Sequence, residues 1–318
     1  MAHSTYTLNI WQRIAYGLAF GLVYGFSLLP FWLLYLFADL IYLLTYYVIG
    51  YRKAIVRKNL RESFPEKDER ELRQIERQFY RWFGEYIVET LKLFSISKES
   101  MSRHLVFKNK ELVTTLTDRG QGVALYMGHY CNWEWVTSIP SLVPGDYAGS
   151  HVYHVLETPV MDKLLLYARH RMDSANVPIM DVLRFIVSNK QAGRPVVMGL
   201  IADQVPFWNN IGGWVHFLNH PKTPVLAGAE RIARRFDMAC VYIDLRRVRR
   251  GYYEADFQLI TTTPKEEPDL AITTEYFRRL EQSIQRQPAF WLWTHNRWKR
   301  TYEEYERRLD PATGKVRL

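Results

Sequence analysis

The sequence predicts an α/β fold: a mixed, mainly parallel sheet flanked by helices and preceded by an N-terminal membrane-anchor helix. Three observations carry this reading. Short apolar runs of strand length recur between residues 122 and 260, helical patterns alternate with them, and charge almost vanishes near the N-terminus. Alternation of that kind points to strands joined by helical crossovers.

Between residues 14 and 51 the single formally charged residue is Asp39. Pro30 divides this region into two apolar segments, 14–29 and 31–49. The first, extended by Trp11, only just reaches the roughly 20 residues that a bilayer requires. The second has the length but carries Asp39 inside it, a costly position unless paired or near an interface. One span followed by an interfacial or domain-packed helix, and one kinked span, both satisfy the pattern. A cleaved signal peptide fits poorly, because the apolar stretch is too long and no small-residue cleavage site follows. Arg52, Lys53, Arg57, Lys58 and Arg61 come next, against Arg13 alone before the apolar stretch. That asymmetry places the body in the cytoplasm if the chain crosses once. The expected division is an anchor over residues 1–50 and one domain over 51–318.

Residues 65–97 read as one or two helices, with Leu72, Ile75, Phe79, Phe83, Ile87 and Leu91 three or four apart. Strands are expected at 122–127, 147–153, 196–202, 239–245 and 253–260. Helices are expected at 108–116, 159–171, 179–192, 224–236 and 272–285. No repeat or low-complexity tract interrupts the pattern.

With 318 residues the chain buries a large core easily. Its 15% aromatic content, with 10 Trp and 21 Tyr, suits membrane interfaces and apolar grooves. A net charge of +9 favours anionic partners such as phospholipid surfaces and phosphorylated substrates. No nucleic-acid module is recognisable, so no nucleic acid is expected as partner. Cys131 and Cys240 are the only cysteines, too few for a disulfide framework and consistent with a reduced compartment.

The segment His129-Tyr130-Cys131-Asn132-Trp133-Glu134 follows the apolar run 123–127 and Gly128. Asn132 is placed to cap a helix starting at Trp133, so His129 and Glu134 would be offered from a strand-to-helix turn. Imidazole is the usual base near neutral pH, and a carboxylate on its second nitrogen fixes the tautomer and stabilises the imidazolium. This HX4E pair therefore suggests activation of a hydroxyl for acyl transfer. A histidine beside an apolar strand is also a common core residue, and a glutamate at a helix start a common dipole partner. Metal chemistry is not expected, since no H-E-x-x-H or similar ligand spacing accompanies the pair, and no cofactor is implied.

Asp203 follows the run 196–201 and would stand at a strand's carboxyl end, where open α/β sheets bind ligands. Arg169 and Arg171 end a predicted helix and are candidates for phosphate binding or for stabilising an oxyanion. Trp208, Trp214 and Phe217 surround the Gly212-Gly213 loop as tunnel lining or lid. The stretch from Trp291 to Arg300 mixes aromatic and basic residues, as an interfacial belt or a phosphate clamp does.

Taken together these pieces resemble the lipid A biosynthesis late acyltransferases, the lauroyl/myristoyl acyltransferase family within the lysophospholipid acyltransferase group. The likeness runs over nearly the whole chain. Arg57-Lys58-Asn59-Leu60-Arg61 with Phe64-Pro65 is similar to the family's basic N-L…F-P stretch. Gly128-His129-Tyr130-Cys131-Asn132-Trp133-Glu134 is close to its G-H-x-x-N-W-E signature. The Arg169/Arg171 region and Asp203-Gln204 follow in order, and Trp293 to Lys299 is similar to its W-x-H-x-R-[FW]-K element. The resemblance implies transfer of a fatty acyl group from an acyl carrier protein thioester to a hydroxyl of a lipid A precursor, at the cytoplasmic face of the inner membrane. It implies His129 as general base and Glu134 as its orienting partner. Arg171 ahead of Arg169, with Asp203 and Asn132, would hold the substrates. Acyl-CoA as donor, and lysophospholipid or aminolipid acceptors, remain open, as does a non-catalytic membrane scaffold. The segment Phe217-Leu218-Asn219-His220-Pro221 lacks the glycine of the family's F-x-G element, which leaves acceptor and chain-length preference undetermined.

Overall fold

The computed structural model describes residues 7–311, 313, 316 and 317. Seven strands form one sheet in the order β1-β9-β8-β2-β5-β3-β4. They are β1 (Leu105–Lys108), β2 (Val123–Met127), β3 (Ala148–Tyr153), β4 (Ala175–Pro178), β5 (Val196–Ile201), β8 (Ala239–Arg249) and β9 (Tyr252–Thr261). β6 (Gly213–Phe217) and β7 (His220–Val225) make a separate antiparallel hairpin. Within the large sheet β8 and β9 pair antiparallel, and all other neighbours pair parallel. The mixed, mainly parallel sheet is thus as the alternating runs predict. β2 is buried along its whole length, which is why it reads as an unbroken apolar run rather than an alternating one.

The chain leaves β2 across β5 to reach β3, and leaves β5 across β2 to reach β8. Connections departing in opposite directions from two adjacent parallel strands open a crevice at their carboxyl ends. That crevice holds the site.

Two helices precede the sheet domain: α1 (Ile10–Ser27), opened by a capping box of Asn9 with Gln12, and α2 (Phe31–Leu43), whose cap is Pro30. A π-helical turn, Leu44–Val48, extends α2. By length and composition Phe31–Val48 is apolar enough to cross a membrane, and 17% of it is buried. α3 (Lys53–Ser63) follows, then α4 (Glu69–Lys92), opened by the capping box of Asp68 with Glu71. α2 lies against α4, with Gly84 facing the backbone of Ala38. Asp39 is compensated there by Arg250 at 2.8 Å and by Arg81 at 3.5 Å. α1 packs its Phe20 edge-on to Tyr167, at 4.8 Å between ring centres. Both helices dock on the domain by one face and expose apolar residues on the other, among them Trp11, Leu18, Leu22, Trp32, Leu36 and Leu40.

The remaining helices are α5 (Lys98–His104), α6 (Lys110–Asp118), α7 (Ile139–Leu142), α8 (Pro159–His170), α9 (Val182–Gln191), α10 (Gly228–Phe236), α11 (Ala271–Arg286) and α12 (Tyr302–Arg308). Two expectations are corrected. α10 starts at Gly228 and not at 224, because Pro224 belongs to β7, where a two-stranded ribbon tolerates prolines that donate nothing to the ladder. The regular helix expected at Trp133 is instead a turn followed by a 3-10 segment, Trp135–Ser138, and the short α7.

A Cβ at Gly84 would lie 2.4 Å from the Ala38 carbonyl oxygen, whereas one at Gly21 on α1 meets nothing within 4 Å. Gly84→Val should therefore push α2 off α4 and cost about 1–3 kcal/mol, by analogy with overpacked cores. Thermal unfolding should show a lowered midpoint for Gly84→Val and an unchanged or raised one for Gly21→Ala. Equal midpoints would contradict the close packing of α2.

Candidate active site

β2 and β5 pair in the register Met127↔Ile201. His129 and Asp203 each lie two residues beyond these partners, so the sheet delivers them side by side. His129 Nδ1 lies 2.6 Å from Asp203 Oδ1, and the His129 backbone N–H donates to Asp203 Oδ2 at 2.8 Å. Trp291 Nε1 donates to the same Oδ2 at 2.8 Å. The Asp203 side chain is 2% exposed and the imidazole 19%. Burial alone would raise the Asp203 carboxyl, but the His129 charge and these hydrogen bonds outweigh it and hold the group at about 2. A carboxylate so fixed keeps the proton on Nδ1 and leaves Nε2 as the basic nitrogen. Nε2 faces Gln204, whose Nε2 stands 3.3 Å away, and the ring edge rests on Trp133.

The turn is locked from several directions. Gly128 leaves room for its neighbours, since a Cβ there would lie 2.6 Å from the Leu280 side chain of α11 and 3.2 Å from Asp203 Oδ2. Cys131 adopts a left-handed backbone at φ 51, unusual for a residue with a side chain. Its N–H donates to Phe290 O at 2.8 Å, and Leu292 N–H donates to His129 O at 3.1 Å. The 290–292 segment thus runs beside the turn as a short bridge.

Glu134 is not on His129. Its carboxylate meets Arg169 bidentately, Nε at 2.7 Å and Nη2 at 2.6 Å, with side chains 6% and 19% exposed. Burial is the largest influence and opposes charging Glu134, but the Arg169 charge and its hydrogen bonds together outweigh it and lower the pKa. Burial likewise disfavours the Arg169 cation, and Glu134 more than compensates. The partner expected for the histidine from local spacing is therefore replaced by Asp203, 74 positions away in the chain.

Of the expected substrate-binding residues, Arg169 lines the cavity and Arg171 does not. Arg171 donates to the carbonyls of Phe94 and Ile96, fastening the end of α8 to the loop after α4. Asn132 is 1% exposed and faces inward, its amide donating to Glu89 Oε2 at 2.7 Å and its oxygen accepting from Trp135 N–H at 3.2 Å. Asp203 has both oxygens engaged with His129 and Trp291 rather than with open space.

The cavity beside His129 has a volume of about 910 Å³. Leu125, Met127, Val136, Ile139, Leu165 and Val197 supply apolar wall, and His129, Glu134, Arg169 and Gln204 form a polar part. Phe207 and Met180 stand exposed while also lining it. Trp214 is not part of the lining and packs on Tyr302 and Tyr305, and Phe217 is core beside Phe277 and Trp291.

The basic-aromatic stretch near the C-terminus is interior rather than an interfacial belt. Trp291, Trp293 and Arg297 are at most 1% exposed. His295 Nε2 accepts from Val205 N–H at 3.1 Å, holding the loop after Asp203. Asn59 Nδ2 donates to the carbonyls of Trp293 and His295, each at 2.9 Å, so the two outlying motifs meet in space. Arg57 and Arg61 of α3 pair with Glu76 and Glu69. The local reading missed Trp291 as an Asp203 donor and Glu89 as an Asn132 acceptor. A carboxylate on the apolar stripe of α4, in line with Phe79 and Trp82, was the available signal for the latter. Among the described residues no group of three or more His, Cys, Asp or Glu side chains is arranged to hold a metal ion.

The family model for bacterial lipid A biosynthesis acyltransferases matches residues 3–300. No individual curated protein matches the chain significantly.

Among the described residues, burial shifts four histidines, including His104, toward the neutral form. Burial, with the Arg169 charge, lowers His151 to about 3; burial lowers His295 and His220 to about 4, with Arg297 adding to both. An unfolded histidine titrates near 6.5. Above that pH both states are neutral and nothing changes. As pH falls from about 6.5 toward 4, the unfolded chain takes up protons that the folded chain refuses, so stability falls. Glu89, pushed up to about 7 by burial, and Glu85, also raised by burial, act in the opposite sense and blunt the slope. The thermal midpoint should rise slightly from pH 8 to 7 as folded Glu89 takes up its proton and drop below pH 6, and His295→Gln should shallow that drop. A flat profile to pH 5 would contradict it.

Proposed function

Because the chain belongs to the bacterial lipid A biosynthesis acyltransferase family, we propose that it moves a fatty acyl group from an acyl carrier protein thioester to a hydroxyl of a lipid A precursor. The observation that carries the reading is an imidazole oriented by a buried carboxylate at the wall of a largely apolar cavity. His129 Nε2 takes the proton of the acceptor hydroxyl as its oxygen attacks the thioester carbonyl. Asp203 holds Nδ1–H and stabilises the imidazolium. Collapse of the tetrahedral intermediate expels the carrier's thiolate, which recovers the proton from His129. A positioned base of this kind contributes roughly 10²–10⁴-fold, and positioning in the cavity supplies much of the remainder.

Glu134 acts through space in this scheme. Its charge favours the imidazolium without a hydrogen bond to it, and its pairing with Arg169 fixes the wall on which the reacting ester lies. Acyl chains occupy the apolar wall, and the acceptor approaches past Gln204. The exposed apolar faces of α1 and α2 seat the protein on the cytoplasmic face of the inner membrane. The packing of α2 along α4 favours a helix that rests on the bilayer surface over one that leaves the domain to cross it.

Mass spectrometry of a tetra-acylated, phosphorylated lipid A precursor, incubated with acyl carrier protein thioesters of several lengths, tests the reading. Wild type should add one acyl group and His129→Ala none, a loss of at least 10²-fold. No gain with any chain length would remove this acceptor, and equal gain by both proteins would remove His129 as the base.

A further inference from the structure

Glu89 stands at the centre of a buried polar cluster that the reaction itself does not use. It lies on α4 and is 0% exposed. Oε2 accepts from Asn132 Nδ2 at 2.7 Å and from the Tyr253 hydroxyl at 2.8 Å. Oε1 accepts from the Tyr35 hydroxyl at 3.0 Å. The Glu89 carbonyl accepts from Trp135 Nε1 at 3.0 Å. Four donors from three distant stretches of chain therefore converge on one residue.

Two of those donors belong to the 129–134 turn and the residue after it. Asn132 sits between His129 and Glu134, next to the left-handed Cys131, and its side-chain oxygen also accepts from Trp135 N–H. Such a backbone persists only where its surroundings over-determine it. A third donor, Tyr35, belongs to α2. One turn further along α2, Asp39 binds Arg250, which also binds Glu85, one turn before Glu89 on α4. The helix with the exposed apolar face is thus joined by polar contacts to the residue that holds the turn.

We propose that Glu89 is a positioning residue for the catalytic turn, acting through Asn132, and that Tyr35 couples the turn to the seat of α2. A carboxylate suits the place because both oxygens face donors and each has two lone pairs. An apolar replacement would strand the Asn132 amide and two hydroxyls in the interior. Glutamine is the conservative variant: its oxygen can serve Asn132 and Tyr253 while its amide donates to a rotated Tyr35 hydroxyl. The proposal rests on the reading of the 129–134 turn as catalytic, and its test includes a readout independent of turnover.

Hydrogen exchange on the full-length protein supplies that readout. The amides of His129, Cys131 and Trp135 are bonded to Asp203, Phe290 and Asn132 and report the turn directly. Tyr35→Phe should speed their exchange roughly ten-fold, as loss of one buried hydrogen bond predicts, with the strands unaffected. In acyl transfer it should lower kcat and leave KM unchanged. Glu89→Met should do both more strongly, and Glu89→Gln should restore most of the difference. Tyr42→Phe, which removes a hydroxyl bonded to Tyr47 on the same helix, should change neither. If Glu89→Met does not fold, Tyr35→Phe decides. Unchanged turn exchange in Tyr35→Phe, or a uniform rise across the protein, would overturn the proposal. Absence of acyl transfer by wild type would instead remove the functional reading, and the exchange data would still decide the coupling.

Discussion

Parallel pairing of β2 with β5 in the register Met127↔Ile201 is the constraint on which the site depends. It brings two short post-strand loops to the same height at the carboxyl edge of the sheet, and His129 and Asp203 occupy equivalent positions on them. A slip of one residue would turn one of these side chains to the other face. Both strands are buried on both sides, so the apolar packing that stabilises the sheet also fixes the register. Position, tautomer and charge compensation of the imidazole then follow from one carboxylate that accepts from a ring N–H, a backbone N–H and an indole.

Around this pair the protein manages an unusual density of buried charge. Glu134 is matched by Arg169, and Glu85 by Arg247 and Arg250. Glu89 is satisfied by neutral donors alone, and burial raises its pKa to about 7. Arg297 is fully buried and donates to Pro224 O at 2.6 Å, and burial lowers it to about 10. Removing one member of a buried pair commonly costs 3–5 kcal/mol, so these residues restrict what can change near the site. They also tie α2, α4, β8 and β9 to the turn that carries His129, which explains how motifs far apart in the chain share one neighbourhood.

Much of the fold was legible in the sequence. Continuous apolar runs mark β2 and β5 because strands buried on both faces need no polar alternation, and α8, α9 and α11 show clear helical spacing. β1 and β4 escape notice because each has only four residues. The β6–β7 hairpin is hidden by prolines and by a turn at Leu218 in place of glycine. Within the site, His129, Glu134, Arg169 and Asp203 could all be selected, but not their pairing. An H-x4-E spacing suggests a local pair, whereas partnership is set by the register of strands 74 residues apart. Arg171 and Asn132 looked like substrate contacts because arginine and asparagine so often are, and their actual partners are carbonyls and a carboxylate that only the tertiary fold supplies.

The claim most exposed to test is that Asp203, and not Glu134, sets the state of His129. Nitrogen NMR of the selectively labelled histidine reports directly which ring nitrogen carries the proton. The account predicts an Nδ1–H tautomer in wild type, preserved in Glu134→Gln and lost or mixed in Asp203→Asn. An Nε2–H tautomer in wild type, or one that changes with Glu134→Gln and not with Asp203→Asn, would contradict it.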